Sequence, residues 1–228
     1  YGIDETNLEL DYTRNKIRSE IHAMSEAEYK RLVKEFGQER ERWQKMKERR
    51  RKIVKSWDFV VSFESYARIK DSERFLYLRD WLMVQGVDAH DFSRSYLLDL
   101  DAQIMGRKIH RRLGDFYLCY TYGEIAVYQP KSYVEYYDDL SALKKSKHPF
   151  VKEMFEQDIK LESKDFPVCI RNFQAGDWIL KSYGRKRISR FFIDEKIALY
   201  KRDSWPVMLS ASGEVIYVPG LGISVSFL

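Results

Sequence analysis

Residues 184–197 have the sequence GRKRISRFFIDEKI, and this run decides how the C-terminal part of the 228-residue chain folds. It predicts a helix over 188–193, directly after the basic residues Arg185, Lys186 and Arg187. The strands predicted on either side cover 167–171, 178–180, 207–209 and 215–218. The last two form a hairpin across Ala211-Ser212-Gly213, a turn of small residues. These elements together predict a small mixed α/β domain over 165–228.

The same part of the chain has a dense basic edge. Between Lys181 and Arg202 there are eight basic residues and two acids, Asp194 and Glu195, which gives a net charge of +6. This concentration of positive charge predicts a polyanionic partner, because phosphate contacts dominate nucleic-acid affinity. The RNA-binding candidates in this part are Arg171, Lys181, Arg185, Lys186, Arg187, Arg190, Lys196 and Arg202.

A long helix is predicted near the start of the chain. Ser25 and Glu28 form a capping box, and apolar residues at seven-residue spacing indicate an amphipathic helix that runs to about Trp57. Residues 40–55 carry nine basic residues and two acids, a net charge of +7. A solvated helix face explains such a run, and so does an anionic partner, since neighbouring cations repel one another. The RNA-binding candidates here are Lys45, Arg49, Arg50 and Lys52.

The middle of the chain predicts two shorter helices and a hairpin. Asp71 or Ser72 begins the first helix, and Ser93 caps the second. Alternating aromatic and apolar residues over 116–128 predict the hairpin. Aromatic side chains can stack on bases, but alternation of this kind is typical of ordinary strands.

The fold class predicted for the whole chain is α+β. A helical middle domain carries the β-hairpin, and the small mixed α/β C-terminal domain follows it. Between them the charges balance, which is typical of a linker, and helices are predicted there near 134–143 and 150–157. The predicted segments are 1–22, 23–130, 131–164 and 165–228.

The composition excludes several classes of protein. Charged residues make up 33% of the chain and apolar residues 44%, as in a soluble globular protein rather than a disordered or membrane protein. No run of about 18 apolar residues is present, so neither a transmembrane helix nor a membrane partner is expected. Cys119 and Cys169 lie in strand-like runs, and we expect buried thiols in a reducing compartment.

Few residues suggest chemistry of their own. The four histidines are scattered without ligand spacing, so no metal site is expected. Asp177 after Gly176 suits a general base or, more simply, a turn. Asp194 and Glu195 suit either Mg²⁺ binding or ion pairs with the cations that flank them.

Several sequence markers occur in a fixed order along the chain. Near the start, Asp4-Glu5-Thr6-Asn7 precedes the run YTRNKIR at 12–18. The C-terminal markers are Arg171 with Gly176-Asp177, Gly184-Arg185-Lys186-Arg187, FIDEKI at 192–197, and Arg202-Asp203-Ser204-Trp205-Pro206. In this order they resemble the tRNA(Ile)-lysidine synthetases: the early segment resembles the end of the ATP-using domain, and the late markers resemble the C-terminal domain. The middle of the chain matches only by its pattern of helices and a hairpin.

The resemblance implies an activity for the whole protein. In this family ATP activates C2 of the wobble cytidine in tRNA(Ile) with a CAU anticodon, and free lysine displaces AMP to give lysidine. ATP with Mg²⁺ and free lysine are then substrates of the parent enzyme, a cytoplasmic ligase. By the same resemblance Asp4, Asn7, Arg14 and Arg18 lie at the edge of the ATP and lysine site. The helical middle holds the anticodon arm, and the C-terminal domain grips the acceptor stem.

One family feature is absent from the sequence. No Gly-rich phosphate loop of the Ser-Gly-Gly-x-Asp-Ser type is present, and the chain opens on Tyr1. We therefore expect a C-terminal fragment, with 1–22 as the tail of the catalytic domain, that binds no cofactor and adenylates nothing on its own. A homodimer is left open.

Two alternatives remain. One is a non-enzymatic RNA-binding module that shares the C-terminal domain. The other is a scaffold whose basic helix binds an acidic protein. The segment from Asp4 to Arg18 favours the synthetase, because a binding module needs no edge of an ATP site.

Overall fold

The computed structural model describes residues 13–228, and the chain divides into two compact units between Val54 and Lys55. The first unit contains α1 (Thr13–His22) and all but the last residue of α2 (Glu26–Lys55). No helix in the part of the chain that the structure describes is long and apolar enough to cross a membrane.

The start of α2 follows from its capping box. The hydroxyl of Ser25 accepts a hydrogen bond from the backbone N–H of Glu28 at 3.3 Å, and the carboxylate of Glu28 accepts the N–H of Ser25 at 2.9 Å. Two donors that the helix itself cannot satisfy are thereby paired. The predicted start is confirmed, and the helix ends at Lys55, two residues before the predicted end.

The second unit begins with helices packed beside a four-stranded antiparallel sheet. The helices are α3 (Phe63–Ala67), α4 (Asp71–Val84) and α5 (Arg94–Met105). The strands are β1 (Val60–Ser62), β2 (His110–Leu113), β3 (Phe116–Thr121) and β4 (Glu124–Tyr128). Their order in the sheet is β1-β4-β3-β2. The predicted start of α4 at Asp71, the cap of α5 by Ser93 and the β3–β4 hairpin are all confirmed.

A buried ion pair joins α4 to α5. The carboxylate of Asp101 accepts hydrogen bonds from Nε of Arg74 at 2.7 Å and from the hydroxyl of Tyr66 at 2.8 Å. The Arg74 and Asp101 side chains are only 7% and 8% exposed. A buried charge must be paired to be tolerated, so these contacts fix how the two helices meet.

A second, five-stranded antiparallel sheet follows. Its strands are β5 (Val134–Tyr137), β6 (Val168–Asn172), β9 (Pro206–Leu209), β10 (Val215–Val218) and β11 (Gly222–Ile223), in the order β11-β10-β9-β6-β5. The remaining elements are α6 (Leu140–Lys144), α7 (Pro149–Phe155), β7 (Trp178–Lys181), β8 (Gly184–Arg187), α8 (Ile188–Asp194) and α9 (Leu199–Arg202). β7 and β8 pair only with each other among the described strands.

Successive residues of the second sheet point to opposite faces, and a separate hydrophobic cluster packs on each face. Val168 and Ile170 of β6 pack with Leu143, Phe150 and Met154 of α6 and α7. On the other face, Val207 and Leu209 of β9, with Cys169 of β6, pack with residues of β7 and α8: Ile179, Ile188, Phe191 and Phe192. The β7–β8 hairpin and α8 therefore lie on one face of a buried sheet, which holds the basic run 184–190 at the surface.

Part of one prediction is wrong. The helix expected over 134–143 is a strand in its first half, because Val134–Tyr137 pairs along the edge of the sheet with β6. Its second half is α6, and α7 matches the second predicted helix closely. The α+β fold class is confirmed, with helices first and sheets later, while the division into four segments stays a prediction.

The first sheet and the C-terminal part of the second unit touch through α9. Leu199 and Tyr200 pack against Cys119, Ala126 and Tyr128 on one face of the β3–β4 hairpin. Four hydrogen bonds cross this contact. Leu199 N–H donates to the Thr121 hydroxyl at 3.3 Å, the Tyr200 hydroxyl to Glu124 at 3.0 Å, the Arg202 guanidinium to the Tyr122 hydroxyl at 3.3 Å, and the Tyr128 hydroxyl to Asp203 at 3.1 Å. We call this the hairpin–α9 contact.

Candidate nucleic-acid interface

The β7–β8 hairpin presents arginines on its outer face. Trp178 is paired with Arg187 and Leu180 with Arg185, and residues directly opposite in an antiparallel pair share a face. Ile179, on the other face, is fully buried against the sheet. The guanidinium of Arg185 lies 4.2 Å from the ring centroid of Trp178. This stacking restrains the arginine while leaving it exposed, so less side-chain entropy is lost when it meets a ligand.

A shallow depression of about 590 Å³ lies at the tip of this hairpin and the start of α8. Its lining consists of one aromatic residue and four cations: Tyr183, Arg185, Lys186, Arg187 and Arg190. Asp194 pairs with Arg190 at 3.0 Å and, more loosely, with Lys186 at 3.7 Å. Arg185 and Arg187 have no ion pair among the described residues, so two uncompensated guanidinium groups are available here to an anion.

Arg171, a predicted RNA contact, is part of the framework that holds this hairpin, and its RNA-binding role stays a prediction. Its two terminal nitrogens donate to the two carboxylate oxygens of Asp177, each at 2.8 Å, and the two side chains are 14% and 12% exposed. The hydrogen bonds to Asp177 raise the pKa of Arg171. Asp177 also accepts the N–H of Gln174 at 2.8 Å, which closes the turn before β7. Of the two interpretations of Gly176-Asp177, the geometry favours the turn.

Three other candidates differ in what they can offer a ligand. Nε of Arg202 donates to the carbonyl of Ile197 at 2.8 Å, so this guanidinium mainly closes the chain after α8. Lys181 donates to the carbonyl of Ile223 at 3.0 Å, and its burial, with Lys186 nearby, lowers the pKa of its amine. Lys196 is exposed. Of these three side chains, Lys196 is therefore the most accessible to a ligand.

The basic end of α2 forms a second cationic surface. Lys45, Arg49 and Lys52 line a depression of about 370 Å³ together with Glu48 and Ile53. Their spacing of three and four residues places them on one face of the helix. Arg50, also a predicted contact, lies on another side and is only 7% exposed.

The residues expected at the edge of an ATP and lysine site are described only in part. Asp4 and Asn7 lie outside the described residues. Arg14 lies in α1, and the structure describes its backbone alone, while Arg18 is an exposed residue of the same helix. Their assignment stays a prediction.

Structural contacts hold the segment that contains the marker Arg202-Asp203-Ser204-Trp205-Pro206. The amide of Asn172 donates to the carbonyls of Asp203 and Lys131 at 2.8 and 2.9 Å, and its oxygen accepts the N–H of Tyr133 at 2.6 Å. The indole of Trp205 donates to the carbonyl of Pro219 at 3.2 Å. Sequence reasoning missed Asn172 because no local pattern distinguishes it.

Within residues 13–228 no group of three or more histidine, cysteine, aspartate or glutamate side chains is arranged to hold a metal ion. The two cysteines differ from each other. Cys119 is fully buried, and this burial raises the pKa of its thiol to about 12, whereas Cys169 is only partly buried.

Cys119 is expected to resist alkylation by iodoacetamide in the native protein, because the reactive thiolate is scarce far below its pKa. Mass spectrometry of the Cys169→Ser variant, which leaves Cys119 alone, checks this. Unfolding in denaturant should expose the thiol and restore labelling. Rapid labelling of native Cys169→Ser protein would contradict the expected burial.

Comparison with known proteins identifies several relatives with the same name. No family model matches the chain. A stretch of 62 residues is 48% identical to the tRNA(Ile)-lysidine synthase of Bacillus subtilis and covers 26% of this chain and 13% of that protein. The tRNA(Ile)-lysidine synthase of Exiguobacterium sibiricum is 24% identical over 243 aligned residues, which cover 97% of this chain and 56% of that protein.

A solved structure gives a weaker similarity. A crystal structure of the TILS C-terminal domain is 26% identical, with 43% of this chain and 59% of that chain covered and a TM-score of 0.27, a value too low to support a shared fold. The chain spans 56% or less of the length of the two curated relatives above. These relatives confirm the resemblance that the sequence markers indicate: the chain matches the C-terminal portion of proteins named tRNA(Ile)-lysidine synthase.

Proposed function

We propose that this chain is the tRNA-binding portion of a cytoplasmic tRNA(Ile)-lysidine synthase. The parent enzyme would use ATP with Mg²⁺ to join free lysine to C2 of the wobble cytidine in tRNA(Ile) with a CAU anticodon. The names of the curated relatives support the activity of the parent. The observation that carries the RNA-binding role is the pair of exposed guanidinium groups, Arg185 and Arg187, beside the depression at the hairpin tip.

The geometry suits a helical RNA. Duplex RNA is recognised mainly through its phosphates and its shape, since its deep major groove is closed to side chains. Arg185 and Arg187 lie on one strand face with one residue between them, so their side chains point the same way from β8. Each guanidinium can hold a phosphate through two hydrogen bonds. We therefore assign the acceptor stem to this surface.

The cationic face of α2 provides a second region for the same polyanion. Lys45, Arg49 and Lys52 are exposed on one side of a long helix, which suits contact along a phosphate backbone. We assign this face to the tRNA as well, and Asp4, Asn7, Arg14 and Arg18 to the edge of the ATP and lysine site.

The proposal is tested by binding of the 228-residue chain to tRNA(Ile) with a CAU anticodon and to an unrelated tRNA, across a salt series. The double variant Arg185→Ala/Arg187→Ala should bind roughly tenfold more weakly at low salt. The salt slope, which is the steepness with which the logarithm of the binding constant falls with the logarithm of the salt concentration, should decrease by about two. Its melting temperature should stay close to that of the unchanged chain, because both side chains are exposed.

The matched control is Lys145→Ala/Lys147→Ala, which also removes two exposed positive charges but lies away from the hairpin. It should keep the original slope. Equal loss in both double variants would show that only net charge matters and would count against a defined surface. Equal binding of the two tRNAs would favour a non-enzymatic RNA-binding module, and no binding would favour an acidic protein partner.

A further inference from the structure

We infer that Tyr183 is a stacking platform for an unpaired nucleobase at the end of the RNA helix that the arginines hold. This inference rests on the proposed RNA-binding role and specifies which RNA element the surface receives. Tyr183 is 71% exposed and lies in the two-residue turn between Lys181 and Gly184, the last paired residues of the β7–β8 hairpin.

The tight turn fixes where the Tyr183 side chain leaves the backbone. Gly184 has φ of +112°, a conformation that glycine adopts without strain, and it allows the chain to reverse within two residues. The backbone of Tyr183 is therefore held close to Arg185 and Arg187, which follow on β8. A single exposed tyrosine is ordinary on a protein surface. Tyr183 differs because it lines the same depression as four cations.

The combination of ring and cations selects a kind of RNA. Within a duplex each base is already stacked on its neighbours, so a tyrosine beside the backbone finds no free base face. A terminal or unpaired nucleotide offers such a face, and stacking on aromatic rings is a common way of holding one. The charges around Tyr183 suit the adjoining phosphates. A duplex that ends in a single-stranded tail satisfies both features together.

The experiment measures binding of the 228-residue chain to a stem–loop RNA with a single-stranded 3′ tail and to the same stem with a blunt end. Tyr183→Ala should lower affinity for the tailed RNA by roughly 5- to 150-fold, which corresponds to the loss of one stacked base. The salt slope should not change, because the tyrosine carries no charge. Tyr183→Phe should bind like the unchanged chain, and neither variant should affect the blunt stem.

Tyr136→Ala is the matched control, since Tyr136 is also strongly exposed, at 66%, but lies on β5 beside acidic Glu135. It should leave both RNAs unaffected. Unchanged binding of the tailed RNA by Tyr183→Ala would overturn the inference, and so would equal loss on both RNAs, which would indicate a structural role. In either case Arg185→Ala/Arg187→Ala can still weaken binding, so the proposed function survives. Absence of RNA binding by the unchanged chain overturns both the inference about Tyr183 and the proposed function.

Discussion

Replacing Asp101 with alanine is expected to lower the free energy of unfolding by about 3–5 kcal/mol, the typical result of leaving one member of a buried ion pair alone. The variant removes the acceptor for Arg74 and for the Tyr66 hydroxyl at once. Arg74 cannot avoid being a buried unpaired charge by losing its proton, because a guanidinium stays charged at any ordinary pH. Its other carboxylate partner, Asp71, is 92% exposed and compensates only partly. Denaturant unfolding followed by tryptophan fluorescence measures the loss.

The control for this variant is Asp99→Ala on the same helix. Asp99 is exposed and bonds only to Gln103 among the described contacts, so a change within about 0.5 kcal/mol is expected. A second comparison replaces both ions, as Arg74→Met with Asp101→Leu. It should recover part of the loss, because no uncompensated charge remains while the buried Tyr66 hydroxyl still lacks its acceptor. An Asp101→Ala protein that unfolds at the original denaturant concentration would refute the assigned role of the pair.

Replacing Asp177 with alanine is expected to weaken RNA binding, which is opposite in sign to what charge alone predicts. Removing an acid from a basic surface should strengthen attraction to a polyanion. Asp177, however, pairs with Arg171 of β6, closes the turn through Gln174 and accepts the N–H of Ile188 at 3.0 Å on its carbonyl. It therefore connects the sheet, the turn before β7 and the start of α8, and its side chain positions the hairpin that carries the arginines.

The expected stability loss for Asp177→Ala is about 3 kcal/mol, since Arg171 is then left largely buried without its partner. Asp194→Ala is the control: Asp194 also pairs with cations of this surface but is 36% exposed. It should leave stability nearly unchanged and keep or raise RNA affinity. Calorimetry and the same salt-series binding assay distinguish the two variants. A rise in affinity with Asp177→Ala would show that the pair does not position the hairpin.

Local signals were enough to predict many of the elements. The caps of α2 and α5 depend only on a side chain and the backbone three residues on, so Ser25 and Ser93 are recognisable in the sequence itself. The strand at Val134–Tyr137 is not recognisable in this way. It lies on a sheet edge and becomes a strand through pairing with β6, more than thirty residues away in the chain.

The candidate site was predictable as a region but not residue by residue. A run of cations predicts a polyanion, yet it does not tell which arginines have partners within the protein. Arg171 and Arg202 are directed inward by Asp177 and by the carbonyl of Ile197. The turn chemistry of Gly176-Asp177 was the one local hint of this pairing. Nothing local marked Tyr183, whose importance comes from the hairpin that places it beside the arginines.

The hairpin–α9 contact has a consequence for synthesis on the ribosome. Its four hydrogen bonds join residues that lie 75, 76, 78 and 80 positions apart in the chain. At a translation rate of about 5–20 residues per second, roughly 4–16 s pass between synthesis of the β3–β4 hairpin and synthesis of α9. During that interval Leu199 and Tyr200 are not yet present to bury Cys119, Ala126 and Tyr128, which leaves an exposed apolar surface on the nascent chain. Substitutions in α9 would then lower the yield of folded protein in cells even where the finished molecule tolerates them.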